Sequence, residues 1–200
     1  MNETPRNDRN DRGDHSDRND RSDTASTGAP AVTGERADLL EALAKQRHFL
    51  IFTTRGLTDE QAGRRTTASE LCLGGLIKHV ASVEAHWAEF IVRGPSAMPD
   101  FSAMTEEDYA RRADDFRMLP GDTLEGVLAA YAKAARRTDD LVASVPDLDA
   151  DHPLPKAPWN EPGARWSIRR VLLHIIAETA QHAGHADIIR EALDGAKSMG

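Results

Sequence analysis

Cysteine is nearly absent: Cys72 is the only one in 200 residues. No intramolecular disulfide can form, and a four-cysteine zinc site is excluded. No apolar run approaches the roughly 18–20 residues that span a bilayer. The N-terminal stretch, rich in Asp, Arg and Asn, lacks the apolar segment of a secretory signal. These absences predict a soluble, cytoplasmic protein with no membrane partner. Positive charge is also in deficit, with 25 Lys and Arg against 33 Asp and Glu and a net charge of −8. No basic stripe is available for nucleic acid. Aromatic residues make up only 5% of the chain and β-branched runs are few. Ala and Leu are abundant instead, which favours an all-α domain.

Residues 1–33 are predicted to be a disordered polar tail. The segment RNDRNDRGDHSDRNDRSD has almost no apolar side chain to bury, so it cannot offset the entropy of ordering its backbone. His15 lies in this tail and carries no weight. The folded domain is expected over 34–196. Leu39, Leu40, Leu43, Phe49, Leu50 and Phe52 recur at helical spacing, giving a first helix to about Arg55 that stops at Gly56. A short capped turn follows at Leu57. A second helix is expected from Ser69, as N-cap, to Val92. Its interior Gly74-Gly75 costs about 1 kcal/mol per glycine relative to alanine, which makes sense if another backbone approaches there. A short helix over 108–118 on a long crossover, a third main helix over 124–145 and a proline-rich loop over 146–165 complete the middle of the chain. The fourth main helix begins after Ser167 and ends at Asp194 before Gly195. Four long amphipathic helices with long crossover loops predict a four-helix bundle.

The fourth helix reads WSIRRVLLHIIAETAQHAGHADIIREALDG. At helical pitch His174, Glu178, His182 and His185 fall within about an 80° arc that overlaps the core-facing stripe. Ionisable groups at a buried edge are costly to desolvate, and metal coordination is one way to compensate. Glu178 and His182 are one turn apart; His182 and His185 are three residues apart. A helix offers two ligands comfortably, so a third must come from elsewhere. His79, in the run LCLGGLIKHVASVEAHW of the second helix, is the candidate. One His with an E-x-x-x-H pair leaves room for water, the open arrangement of a catalytic zinc-type site. The competing reading of a core histidine is a hydrogen bond to a neighbour, and His48 and His86 are assigned to that class or to the surface.

These two segments resemble the DinB superfamily over about residues 35–195, in the branch that includes the mini-circle protein of actinomycetes. The resemblance implies a DinB-like bundle holding a divalent ion (Zn, Ni or Fe), commonly through a histidine on the second helix and an H-x-x-x-H pair on the fourth. His79, Glu178 and His182 match those positions, with Glu in place of the first histidine of the pair. The same His/Glu/His set occurs in the mycothiol-dependent maleylpyruvate isomerases. His185 stays open as a rival ligand to Glu178. The resemblance also implies thiol chemistry: a metal-dependent S-transferase or isomerase joining a low-molecular-weight thiol such as mycothiol to a small electrophilic substrate. In that scheme His185 or His174 is the catalytic base or orienter. Arg169, with Arg170 beside it, is a candidate for binding an anionic thiol cofactor, against the reading of a solvated face. Trp166 and Trp87 are candidates to line the cofactor pocket, against plain bundle packing, and Trp159 to cover its mouth. Cys72 is read as a buried core residue rather than a reactive thiol. The alternative functions are a non-catalytic metal-binding stress or interaction protein and a metal-assisted hydrolase. A homodimer suits this kind of bundle, although no surface patch in the sequence marks one.

Overall fold

The computed structural model describes residues 32–198; all of the expected polar tail except Val32 and Thr33 lies outside them, His15 included. Among the described residues there are six α-helices and one two-stranded sheet. The four long helices are α1 (Glu35–Phe52), α3 (Leu73–Arg93), α5 (Leu124–Ser144) and α6 (Ile168–Asp194). Two short ones, α2 (Asp59–Gly63) and α4 (Glu106–Asp114), sit on the connections. Helix α3 packs on α5 and α6, and α1 packs on the same two helices. The bundle is therefore a square in which α1 faces α3, and α5 faces α6, across the diagonals. The all-α bundle expected from the helical periodicity is what the chain forms.

Helix starts follow local chemistry. Thr58, Thr105, Thr123 and Ser167 each accept a hydrogen bond from a backbone N–H three residues on, satisfying amides that have no partner inside the helix. Thr58 with Gln61 and Thr105 with Asp108 form reciprocal capping boxes. Helix α6 ends where Gly195 turns left-handed, φ 79°. Arg190 donates to the Thr53 and Arg55 carbonyls at 2.7 and 2.9 Å, serving the end of α1, which has no basic residue of its own in its last turn.

Four boundaries differ from expectation. Helix α1 ends at Phe52, because the Thr53 and Thr54 hydroxyls donate back to the Leu50 and Ile51 carbonyls and the chain continues as turns to Gly56. Ser69 does not cap α3. Its hydroxyl accepts from the Leu71 N–H within the preceding turn, and the helix starts after Cys72. Helix α4 covers 106–114 rather than 108–118, since Thr105 caps it earlier. The proline-rich connection is not all loop: β1 (Asp151–Pro153) pairs antiparallel with β2 (Arg165–Ser167), with His152 opposite Trp166.

The core is divided. One apolar cluster holds Leu50, Leu76, Val80, Tyr131 and Ala183; the other holds Leu43, Ala88, Leu141, Leu172 and Ile175. The four long helices also bury Arg47, Glu84, Thr138 and Thr179, and α6 buries His182 besides. Arg47 on α1 reaches diagonally to Glu84 on α3, which is fully buried, and also pairs with Asp139 on α5 at 2.8 Å. The Tyr131 hydroxyl is buried beside Thr179 and Glu84 without a well-formed hydrogen bond among the described residues; burial raises its pKa.

Candidate metal centre

Helices α3 and α6 are neighbours in the square, and their facing edges carry the ionisable cluster. His79 lies between the buried Ile77 and Val80. Glu178 and His182 lie on either side of the buried Thr179. The apolar stripes that drive the two helices together therefore carry the three side chains into the same half-buried seam.

There, ligand atoms of His79, Glu178 and His182 all lie within 4.8 Å of one another. His182 uses its two nitrogens in opposite directions. Nε2 points to Glu178 Oε2 at 3.8 Å, and Nδ1 meets His185 Nδ1 at 3.4 Å. The other Glu178 oxygen faces His174 Nε2 at 3.9 Å. Burial pushes the His79 imidazole down to about 4, assisted by the facing His182 and by Arg112. Burial likewise lowers His182 and His174; His185 adds to the effect at His182, while Glu178 partly opposes it at His174. Neutral imidazoles keep the lone pairs that a metal ion needs.

Phe116, in the turn after α4, lies on His79 with ring centroids 3.9 Å apart and planes 23° from parallel. Gly75 makes this possible. A Cβ there would stand 2.0 Å from the Phe116 carbonyl oxygen, and one at Gly74 would stand 2.5 Å from Met118 Sδ. The close backbone approach expected at the glycine pair is real.

His79, His174 and Glu178 line a cavity of about 540 Å³; His185 does not and sits behind His182. The cavity is bounded by Trp87, Trp159, Trp166, Phe101 and Phe116. Trp87 stacks on Trp166 at 5.0 Å, and His174 stands edge-on to both. A larger cleft of about 760 Å³ between α3 and α5 contains none of the three clustered donors.

The remaining candidates separate clearly. Trp166 and Trp159 are at the cavity. Arg169 is not: its guanidinium is tied to Glu35 and Asp149, which joins the start of α6 to α1 and the loop before β1. Those two carboxylates already take the charge the sequence reading offered to an anionic cofactor. Arg170 instead lies over the Trp166 ring at 4.6 Å. Cys72 is buried, and its thiol faces the Phe116 carbonyl at 3.8 Å. Of the two readings given for His48 and His86, the surface one holds: both are exposed, with His86 on the cavity rim. No sequence signal marks Phe116, Phe101 or Arg112 for the cavity, because each lies on a connection, Arg112 on its short helix α4, whose path over the bundle no local pattern encodes.

Compared with known proteins, residues 38–195, well over half of the chain, match the family model for mycothiol-S-transferase. No curated protein matches the chain.

Proposed function

The chain belongs to the mycothiol-S-transferase family, a DinB-like group, and from that premise we propose that it joins a mycothiol-type thiol to a small electrophile, using a divalent ion held by His79, Glu178 and His182. The observation that carries the reading is the convergence of those three donors within 4.8 Å, with His79 and Glu178 on the wall of a cavity.

The donor set suits such an ion. Two neutral imidazoles and a carboxylate are ligands that zinc-type ions accept, and three protein ligands leave a coordination position open. When bound, the ion would lower the pKa of the thiol, so that thiolate is present near neutrality.

The chain's own residues do the rest. Phe116 fixes the plane of the His79 ring. His174 faces the second oxygen of Glu178 and restrains the carboxylate, and His185 orients His182 from behind. Phe116, Trp87 and Trp166, the rings in contact with His79 and His174, exclude water from the thiolate, whose sulfur forms the new bond to the electrophilic carbon. In a substitution the displaced group leaves with its bonding pair. In an addition the π pair moves to the adjacent carbon, which takes up the proton the thiol gave up. No atom is oxidised or reduced overall.

No described helix is long and apolar enough to cross a membrane. Work in the cytoplasm, where thiols are kept reduced, is part of the proposal. The test is metal analysis of the purified protein followed by thiol transfer to an electrophilic dye. We expect one divalent ion per chain and a transfer rate abolished by chelator. A folded protein without an ion, or transfer indifferent to chelator, overturns the reading. Consumption of substrate by water alone favours a metal-assisted hydrolase instead.

A further inference from the structure

Every tryptophan in this chain lines the same cavity. Aromatics are 5% of the sequence, yet five of its ten Phe, Trp and Tyr residues face that one space. They arrive from five places: α3 (Trp87), the 3-10 turn Phe101–Ala103, the turn after α4 (Phe116), the loop between the strands (Trp159) and β2 (Trp166). Core packing accounts for some of them. It does not account for Trp159, which is 64% exposed on a proline-rich loop and has its ring centroid 5.2 Å from that of Phe101. An indole left largely in water on a cavity rim has apolar surface still to bury.

The rings form two pairs. Trp87 and Trp166 are stacked and held edge-on by His174, next to Glu178. Phe101 and Trp159 form the second pair, contributed by two connections outside the long helices. The enclosed volume of about 540 Å³ is in the range of sites for small organic ligands, roughly 300–1,000 Å³. Of its charged residues Glu178 belongs to the proposed ion's donor set, which leaves Arg112 accompanied by Asp115, so no field of one sign selects a charged ligand. A small aliphatic molecule would leave most of the walls uncovered. Indole faces are electron-rich and pair best with a flat, electron-poor ring, offset or edge-on.

We infer that this cavity is a binding site for a flat, uncharged, electron-poor aromatic compound, gripped between the Trp87–Trp166 and Phe101–Trp159 pairs. Calling that compound the electrophile of the reaction rests on the transferase reading; the binding itself does not.

Two measurements on the full-length, metal-loaded protein test it. The first is binding of 2,4-dinitroaniline, an unreactive probe, followed by quenching of tryptophan fluorescence. The second compares thiol transfer to 1-chloro-2,4-dinitrobenzene with transfer to iodoacetamide. Saturable quenching is expected, and Phe101→Ala and Trp159→Ala, both at loop positions whose loss leaves the bundle core intact, should each weaken it roughly three- to tenfold. The same variants should raise KM for the chlorodinitrobenzene with little change in kcat and leave iodoacetamide turnover unaltered. Absence of saturable quenching in the wild type, or wild-type affinity in the Phe101→Ala/Trp159→Ala double variant, overturns the inference even if iodoacetamide is turned over. Saturable binding that weakens in the variants, with no transfer to any electrophile, upholds the aromatic site and removes the transferase reading.

Discussion

Phe116 presses its carbonyl oxygen against Gly75 so closely that a Cβ on that glycine would stand 2.0 Å from it. The ring of the same residue lies on His79, one turn further along α3. Backbone size at one position thus sets the attitude of a candidate ligand at another.

Gly75→Ala should therefore do two things that an ordinary glycine replacement does not. It should lower stability by about 1–3 kcal/mol through overpacking, and it should weaken metal binding by lifting Phe116 from His79. Gly184→Ala is the control, since its Cβ would meet nothing within 4 Å; replacing a helical glycine there should stabilise by up to about 1 kcal/mol. Denaturant titration and metal affinity measured on both variants check the pair.

Donor removal separates Glu178 from His185. His79→Ala, Glu178→Ala and His182→Ala should each lose the ion. His185→Ala, which takes away only the group behind His182, should keep it at roughly 10- to 100-fold lower affinity. Elemental analysis of the four variants decides. An ion lost with His185 and kept without Glu178 would reverse the assignment.

The turn that carries Phe116 is pinned to α3 by Asp122, which accepts from Lys78 Nζ at 2.8 Å and from the Leu119 N–H at 2.9 Å. Lys78 first, and the Leu119 amide next, hold the Asp122 carboxyl below its ordinary value of 3.8. A carboxyl lowered on folding adds stability above its unfolded pKa and loses that contribution as pH falls through the lowered value. The melting temperature of Asp122→Asn should accordingly sit below that of the wild type near neutrality and converge on it in acid beneath 3.8. Parallel curves across that range would refute the pinning role.

Glu84→Leu should cost about 3–5 kcal/mol, because it strands the Arg47 charge in the core with only the half-buried Asp139 to meet it. Adding Arg47→Met should return most of that loss, since well-packed apolar replacements of a buried pair are often neutral. Urea unfolding of the single and double variants measures both.

The four long helices, the cap at Ser167 and the Gly74-Gly75 approach were legible in the sequence, because each depends on local chemistry or on a simple period. So was the grouping of His79, Glu178 and His182, which needs only that α3 and α6 be neighbours. The polar layer was not. Arg47 and Glu84 look like solvated helix positions until α1 and α3 are set across the diagonal from one another. The aromatic cavity was legible in part: Trp87, Trp159 and Trp166 are candidates from the sequence, whereas Phe101 and Phe116 reach it through connections whose paths no periodicity encodes. Arg169 misled for a related reason: its partners Glu35 and Asp149 are remote in sequence.

The band of Arg47, Glu84, Thr138 and Thr179 has a mechanical meaning. Helices with only alanine and leucine at their interface can slide by a turn and find comparable packing. A slide of α1 against α3 would drive a guanidinium or a carboxylate into hydrocarbon, so the band acts as an index pin for their axial alignment. Stacking of α3 and α6 at a fixed height is what keeps an imidazole from one level with two donors from the other.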